Sequence, residues 1–193
     1  MTKIYLATIL TIVSASSAYA ETDWTPKLTL LQDSCSTSFH IMDDLQKKYQ
    51  NSIVKKSEAK KKNKYDVGND IVTTYQLKDA TAFGLPIEKF QQLANDSYFS
   101  SIEFSIFFKD SSFLKLRPSF YYKANSSKGE YFLMADNLGK GGHRDADSDI
   151  NIEFENTATG YDVSDESGGG MSCNTILKFD KSNNSLSCSV TCD

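Results

Sequence analysis

The sequence predicts an α+β domain in which an N-terminal helix and a short second helix pack on a mainly antiparallel, disulfide-stapled sheet. Apolar residues recur at every third or fourth position early in the chain, which is the period of a helix. Later they alternate with polar residues, which is the period of a strand with one solvent-exposed face. Four cysteines in an exported chain indicate two disulfides. Helices followed by antiparallel strands are typical of α+β domains.

The first twenty residues have the three parts of a secretory signal peptide. Lys3 supplies the positive charge, residues 4–13 form an apolar run, and Ala18 and Ala20 supply the small side chains that signal peptidase requires. The apolar run is about half of the roughly 20 residues that a membrane-spanning helix needs. We therefore expect cleavage after Ala20, a secreted or periplasmic location, no membrane span in the mature form, and a single domain over residues 21–193.

The charge of the mature chain argues against nucleic acid as a partner. Removal of Lys3 leaves 20 basic residues against 25 acidic ones, a net charge of −5, whereas binding to phosphates needs an excess of Lys and Arg. The charges are segregated along the chain. Eight lysines and one acid lie between Lys47 and Lys64, and eight acids and one base lie between His143 and Ser167. Such runs are typical of solvated faces or of charge steering toward a partner.

The first mature element is predicted to be a helix that begins at Thr25 and Pro26, a capping residue followed by a proline at the first helical position. Cys35 falls on its apolar face and is predicted to point at the core. The helix is expected to fray into the lysine-rich segment 55–64. Its apolar face consists of Leu28, Leu31, Cys35, Phe39, Met42, Leu45, Tyr49 and Ile53.

Two elements are predicted between the first helix and the middle of the chain. Residues 71–77 are rich in β-branched side chains, which favour a strand. Pro86 is predicted to open the short second helix, because proline is favoured at the first helical position. The inward face of this second helix consists of Ile87, Phe90 and Leu93 or Ala94.

The middle of the chain alternates between apolar and polar residues over 102–108 and again over 114–122, which predicts two strands. Pro118 has no backbone N–H to donate, so the second strand is expected at a sheet edge or a bulge. A turn then leads to a strand over 131–134, which is predicted to form a hairpin with 114–122. The remaining assignments are a glycine- and aspartate-rich loop over 138–148, a strand over 150–154 and an acidic loop over 164–170.

The last two strands are predicted to form a hairpin of defined register. Their apolar residues fall on odd positions over 173–179 and on even positions over 185–192. A four-residue loop over 181–184 pairs Asp180 with Ser185 and keeps both apolar sets on one face. A slip by one residue would put one set in water.

This register predicts which cysteines are joined. It places Cys173 directly opposite Cys192, and facing residues have Cβ atoms about 4.5–5.5 Å apart, close to the separation that a disulfide needs. Cys188 then remains for Cys35, on the core face of the first helix. The alternative pairing, Cys173–Cys188 with Cys35–Cys192, requires a different turn length. No pair has the spacing of a zinc site.

A candidate binding surface lies on the solvent face of the predicted middle strands. Phe107 and Tyr121 share this face with Lys115 and Arg117, and a mixture of aromatic and basic side chains is typical of protein-binding surfaces. Cross-strand packing, or a second small core under a loop, is the alternative. The adjacent glycine-rich, basic segment adds two candidate binding residues, His143 and Arg144, in a loop whose amides also suit an anion.

A weak calcium site is a second possibility in the same region. Asp145, Asp147 and Asp149 are spaced like the start of a calcium loop. The sixth position holds Ile150 instead of glycine and the twelfth holds Asn156 instead of glutamate, which excludes an EF-hand. A site of another type would take its oxygen ligands from these three aspartates and from Glu153 or Glu155.

The catalytic inventory is thin, and the sequence favours an exported, non-enzymatic protein-binding module. Only His40 and His143 are available as imidazole bases, and no Gly-x-Ser-x-Gly motif supplies a nucleophile. We therefore assign no catalytic residue and no cofactor, and expect a soluble monomer whose partner is another protein. A periplasmic or secreted inhibitor or immunity-type protein is one such module. The alternatives are a secreted hydrolase using His143 or an acidic pair, and an envelope or surface structural protein.

Overall fold

A computed structural model describes residues 21–32, 35, 41–62, 68–95, 101–122, 129–134, 140–145, 150–166 and 172–192. Over these residues the chain forms one eleven-stranded sheet with few and short helices. The mainly antiparallel sheet and its two disulfides are therefore confirmed. The predicted signal peptide lies outside the described residues.

The strands follow one another along the chain with two short α-helices among them. The helices are α1 (Thr25–Leu28) and α2 (Lys47–Ser52), and two 3₁₀ helices cover Thr29–Gln32 and Ser111–Ser119. The strands are β1 (Thr22–Asp23), β2 (Ile53–Lys62), β3 (Asn69–Ala82), β4 (Leu85–Asn95), β5 (Ser101–Phe108), β6 (Gly129–Met134), β7 (Lys140–Asp145), β8 (Ile150–Thr157), β9 (Gly160–Glu166), β10 (Ser172–Asp180) and β11 (Ser185–Cys192).

The strand order across the sheet is β1-β3-β4-β5-β11-β10-β9-β8-β7-β6. β2 also pairs with β3, along a different part of the strand from β1. β1 and β3 are parallel, and the other described pairs are antiparallel. One non-local join, β5 with β11, connects the N-terminal strands to the C-terminal ones.

The long N-terminal helix predicted from apolar spacing is wrong. Among the residues described between 25 and 62, the helical elements are the single turn of α1, a 3₁₀ helix and the six-residue α2, and residues 53–62 are strand β2. Lysine is a good helix former, but tertiary pairing with β3 overrides local propensity here. Cys35 is nevertheless fully buried, as its place on the apolar set predicts.

The predicted second helix after Pro86 is strand β4. A β-bulge between Ile87 and Lys89 shifts the register against β5 by one residue. Because of this bulge, Ile87 and Phe90 both point at the core although they are three positions apart. Their spacing therefore resembles that of a helix face.

The predicted strand over 114–122 is wrong, because residues 111–119 form a 3₁₀ helix. The Asp110 carboxylate accepts a hydrogen bond from the Ser112 N–H at 2.8 Å and caps its start. Phe113 packs against Phe108 and Phe179, with ring centroids 5.1 and 5.9 Å apart. The predicted hairpin with 131–134 is accordingly absent from the described residues, and β6 pairs with β7 instead.

Two predicted loops are strands over much of their length. Residues 140–145 form β7, and β9 extends to Glu166. The strands predicted over 71–77, 102–108 and 150–154 are confirmed as β3, β5 and β8.

The hydrophobic core lies on one side of the sheet, which we name the covered face. All four described helical elements contribute buried side chains to it, among them Leu28, Leu31, Tyr49 and Phe113. The indole of Trp24 is buried against Phe90 (ring centroids 4.8 Å apart), and its Nε1–H donates to the Ser52 hydroxyl at 3.1 Å. This bond satisfies the one polar atom of the indole.

The C-terminal hairpin has the predicted register, with Asp180 opposite Ser185 and Leu177 opposite Cys188. The disulfides are Cys173–Cys192 and Cys35–Cys188, the pairs that this register predicts. The second disulfide ties the N-terminal covering segment to the centre of the sheet. Two disulfides indicate an oxidising extracellular or periplasmic environment.

Among the described residues, no helix reaches the length and apolar character that a transmembrane helix requires.

Candidate functional site

The side of the sheet opposite the core, which we name the open face, is the candidate functional site. Its side chains alternate with the buried ones along each strand. The described helical elements all contribute to the covered face, so the open face of β3, β4, β5, β11 and β10 lies away from the core. Most of its side chains are half-buried or exposed, whereas Ser105 and Ser185 are buried. Phe107, predicted to bind a partner, lies on this face at the level of Ser185.

The centre of the open face is a row of hydroxyl and amide side chains. Thr74, Gln91, Ser105 and Ser187 stand next to one another on β3, β4, β5 and β11. The Gln91 Nε2 donates to the Thr74 hydroxyl at 3.2 Å. The Ser105 hydroxyl donates to a Glu103 carboxylate oxygen at 2.7 Å. Ser105 is buried, and the half-buried Thr74, Gln91 and Ser187 offer uncharged hydrogen-bonding groups to a partner.

Aliphatic side chains border the polar row. Val72 and Leu93 face each other on β3 and β4 and are half-buried, and Ile176 on β10 is 37% exposed. These residues lie on the side of the sheet away from the core. The open face therefore combines apolar area with donors and acceptors, the mixture found in protein-binding surfaces.

Phe107 forms a cation–π pair with Lys89. The two residues are direct cross-strand neighbours, and the Lys89 Nζ lies 4.0 Å from the centroid of the Phe107 ring. Such pairs contribute roughly 0.5–1 kcal/mol at exposed sites. Lys89 was not predicted on this face, because the residues after Pro86 were expected to form a helix.

Two carboxylates face each other where the open face crosses β8 and β9. Asp162 is directly opposite Glu155. Partial burial raises the pKa of Asp162, and the Glu155 carboxylate raises it further, while a hydrogen bond from Asn174 opposes the shift. Like charges directly opposite on neighbouring strands are destabilising. In the sequence, Asp162 stands between the apolar residues Tyr161 and Val163. This strand-like alternation is the signal that could have placed Asp162 on the face away from the core.

Arg117 lies on the other side of the sheet from Phe107 and holds the β8–β9 turn, and Tyr121 packs against its guanidinium. The Arg117 Nε–H donates to the Thr157 carbonyl at 3.1 Å and Nη2 donates to the Gly160 carbonyl at 2.6 Å. Further bonds run from Nη1 to the Phe120 carbonyl and from Nη2 to that of Thr157. The guanidinium carbon lies 4.4 Å from the centroid of the Tyr121 ring.

These contacts make Arg117 a structural residue that fixes the β8–β9 turn. Burial lowers the pKa of its guanidinium, whereas Tyr121 and Tyr161 raise it. Lys115, which was predicted on the same face of a strand, is an exposed residue of the 3₁₀ helix. The four predicted residues therefore form no single patch, because 111–119 is not a strand.

His143 and Arg144 belong to β7, not to a loop. His143 pairs with Tyr131 on β6 and Ile152 on β8. β7 is five strands away from β5, about 24 Å at the usual spacing of neighbouring strands. The structure therefore does not bring these two residues to Phe107.

The weak calcium alternative gains no donor set from the described residues. Asp145 ends β7, opposite Ile150, whereas Asp147 and Asp149 lie outside the described residues. Within the described ranges, no group of three or more His, Cys, Asp or Glu side chains is arranged to hold a metal ion.

Comparison with known proteins adds no relative. No family model matches the chain, and neither a curated protein nor a solved structure matches it significantly.

Proposed function

We propose that the chain is an exported, non-enzymatic protein-binding module that holds its partner on the open face. The observation that carries the proposal is the solvent position of Val72, Leu93 and Ile176 beside the polar row of Thr74 to Ser187. Apolar side chains on the side of a sheet away from the core gain free energy when a partner covers them. The neighbouring hydroxyl and amide groups then provide directional hydrogen bonds.

The size of the open face supports the proposal. From β2 to β8 the sheet has seven inter-strand steps, about 34 Å, and each strand contributes about 20 Å of length. The product, roughly 700 Å², approaches the roughly 800 Å² that each partner buries in a standard protein–protein interface. A disulfide-braced sheet changes little in shape on binding, which lowers the entropy cost of association. A periplasmic or secreted inhibitor or immunity-type protein needs such a rigid surface of standard interface size.

The proposal is tested by crosslinking in the cells that export the protein. A photoreactive amino acid replaces Ile176 on the open face or, as the matched control, the exposed Ser119 on the covering 3₁₀ helix. We expect a specific protein adduct from position 176 and none from position 119. The adduct's partner is then purified, and I176E is expected to weaken its binding at least tenfold while S119E leaves it unchanged.

Two results would overturn the proposal. Equal adducts from both positions would show that the open face has no special role. Unchanged affinity of I176E for the purified partner would place the interface elsewhere on the molecule.

The acid pair favours hydrolysis as a second candidate function. Asp162, whose pKa is raised by partial burial and by Glu155, lies directly opposite Glu155 on the neighbouring strand. Retaining glycoside hydrolases use two carboxyl groups about 5–5.5 Å apart, one as acid and one as nucleophile. In a panel of glycoside substrates, turnover by the wild-type chain that is abolished in both D162N and E155Q would support this function. Turnover that survives in both variants, or is absent from the wild type, would contradict it.

A further inference from the structure

Strand β2 is an exposed edge of the sheet. It pairs with β3 on one side, and no described strand pairs with its other side. Every residue from Val54 to Lys62 is exposed, so this is a ten-residue strand with almost no packing of its own. An edge strand of this kind presents a row of backbone N–H and C=O groups to an incoming strand.

The edge carries a concentrated positive charge. Five lysines and one glutamate over Ile53–Lys62 give a net charge of +4 in a chain that is acidic as a whole. Asp70 on β3 is directly opposite Lys61 and offsets one of these charges. The acidic strands β9 and β8 lie six and seven inter-strand steps away, well beyond the roughly 8–10 Å Debye length at physiological salt. The edge therefore keeps a positive potential that is set by its lysines.

The lysines project from both sides of the strand. Lys56 and Lys60 pair with Tyr75 and Ile71 and lie toward the covered face, with the Lys56 Nζ 5.4 Å from the centroid of the Tyr75 ring. Lys55 and Lys61 occupy the alternate positions and lie toward the open face. A flat anionic surface such as a membrane meets one side of a strand at a time. A neighbouring strand has side chains on both sides, at the same two-residue period.

We propose that β2 receives an acidic, extended segment of a partner protein as an added strand. Backbone hydrogen bonds to the outer edge supply affinity, and acidic side chains at alternating positions pair with lysines above and below the sheet. The same lysines repel basic strands, including the β2 edge of a second copy, and give a neutral strand no charge pairing, which protects the edge from aggregation and selects for acidic segments. This second interaction surface does not depend on the open face.

The test uses three labelled ten-residue peptides with the full mature chain. One alternates Glu with Thr, one alternates Lys with Thr, and one alternates Glu with Pro, which keeps the charge but removes half of the backbone N–H donors and disfavours pairing in a sheet. We expect the Glu–Thr peptide to bind at low salt at least tenfold more tightly than the other two, and to weaken as salt rises. Hydrogen exchange should show slowed amides in β2 when this peptide is bound.

Variants separate the edge from general attraction to lysine. The double variant K55E/K61E should weaken the Glu–Thr peptide at least tenfold, whereas K181E in the exposed β10–β11 turn should leave its affinity unchanged. If charge reversal disturbs folding, the double variant K55Q/K61Q removes the two charges without reversing them. It should weaken binding of the Glu–Thr peptide less than K55E/K61E does and more than K181E does.

Several outcomes would overturn the proposal. Equal binding of the Glu–Thr and Glu–Pro peptides would show attraction without strand addition. Binding to phosphatidylglycerol vesicles without binding to the peptide would assign the lysines to a membrane surface, and sedimentation of the chain alone as an oligomer through β2 would assign the edge to a second copy. The peptide measurements do not depend on the crosslinks from position 176. Either proposal can therefore fail while the other stands.

Discussion

The disulfide Cys35–Cys188 should stabilise the fold more than Cys173–Cys192. It closes a loop of 153 residues, whereas the hairpin disulfide closes one of 19. In the chain-entropy model these loops correspond to about 5 and about 3 kcal/mol at 25 °C, which are upper values because the unfolded chain retains structure. Cys35 and Cys188 are also fully buried, so their removal leaves an unfilled space in the core.

The two disulfides can be compared in one assay. The double variants C35A/C188A and C173A/C192A are unfolded in guanidinium under non-reducing conditions. Trp24 is the single tryptophan and is fully buried, so its fluorescence reports on the covering segment. Circular dichroism reports on the sheet in the same samples.

We expect C35A/C188A to lose about 2 kcal/mol more than C173A/C192A, in line with the loop lengths. The hairpin disulfide joins residues that the strand ladder already holds opposite each other, so the ladder compensates for part of its loss. An equal or larger loss in C173A/C192A would refute the account of how the N-terminal segment is held on the sheet.

Three further predictions concern single residues, measured by the same unfolding assay. R117A should lose about 2–3 kcal/mol, because a charged donor to three carbonyls is removed, whereas K115A should change stability by less than about 0.5 kcal/mol. G160A should lose about 4 kcal/mol or more, because its Cβ would lie 1.7 Å from the Leu177 carbonyl oxygen. D162N should stabilise the chain at neutral pH and remove part of its pH dependence. The pKa of Asp162 is higher in the folded state than in the unfolded state. Its contribution to folding stability is therefore fully present below the unfolded-state pKa and is lost as the pH rises through the folded-state pKa.

Each of these predictions has a result that contradicts it. Equal losses in R117A and K115A would mean that the Arg117 hydrogen bonds do not hold the turn. A G160A chain with wild-type stability would contradict the close approach of the β8–β9 turn to β10. Thermal unfolding between pH 3 and pH 8 that shows identical slopes for D162N and wild type would place Asp162 in an ordinary solvated environment.

The C-terminal hairpin was predictable because two independent constraints agree. The apolar period and the four-residue turn over 181–184 both require Asp180 opposite Ser185, and the structure has this pair. The disulfides follow from the same register. Local information suffices here because the two strands are adjacent in sequence.

The N-terminal half was harder because its structure depends on distant partners and on bulges. Lysines in β2 favour a helix locally, and only the pairing with β3 makes them a strand. In β4 the bulge beside Glu88 converts the two-residue period into a step of three from Ile87 to Phe90. No local pattern reports either effect.

The candidate site was predictable only in part for the same reason. Phe107 was placed on the solvent face because β5 is a regular strand. Arg117 and Tyr121 were predicted beside it because the apolar and polar residues over 114–122 alternate as in a strand, whereas residues 111–119 form a 3₁₀ helix. Leu93 was hidden by the helix predicted for β4.

The central claim is that one face of the sheet is covered and the other is open to a partner. Methyl NMR with a soluble paramagnetic agent tests this claim directly, because the sequence neighbours Ile176 and Leu177 point to opposite faces. The account predicts strong broadening of the methyl signals of Ile176, Leu93 and Val72, and protection of those of Leu177 and Leu186. Equal protection of Ile176 and Leu177 would mean that the open face is already occupied and would contradict the account.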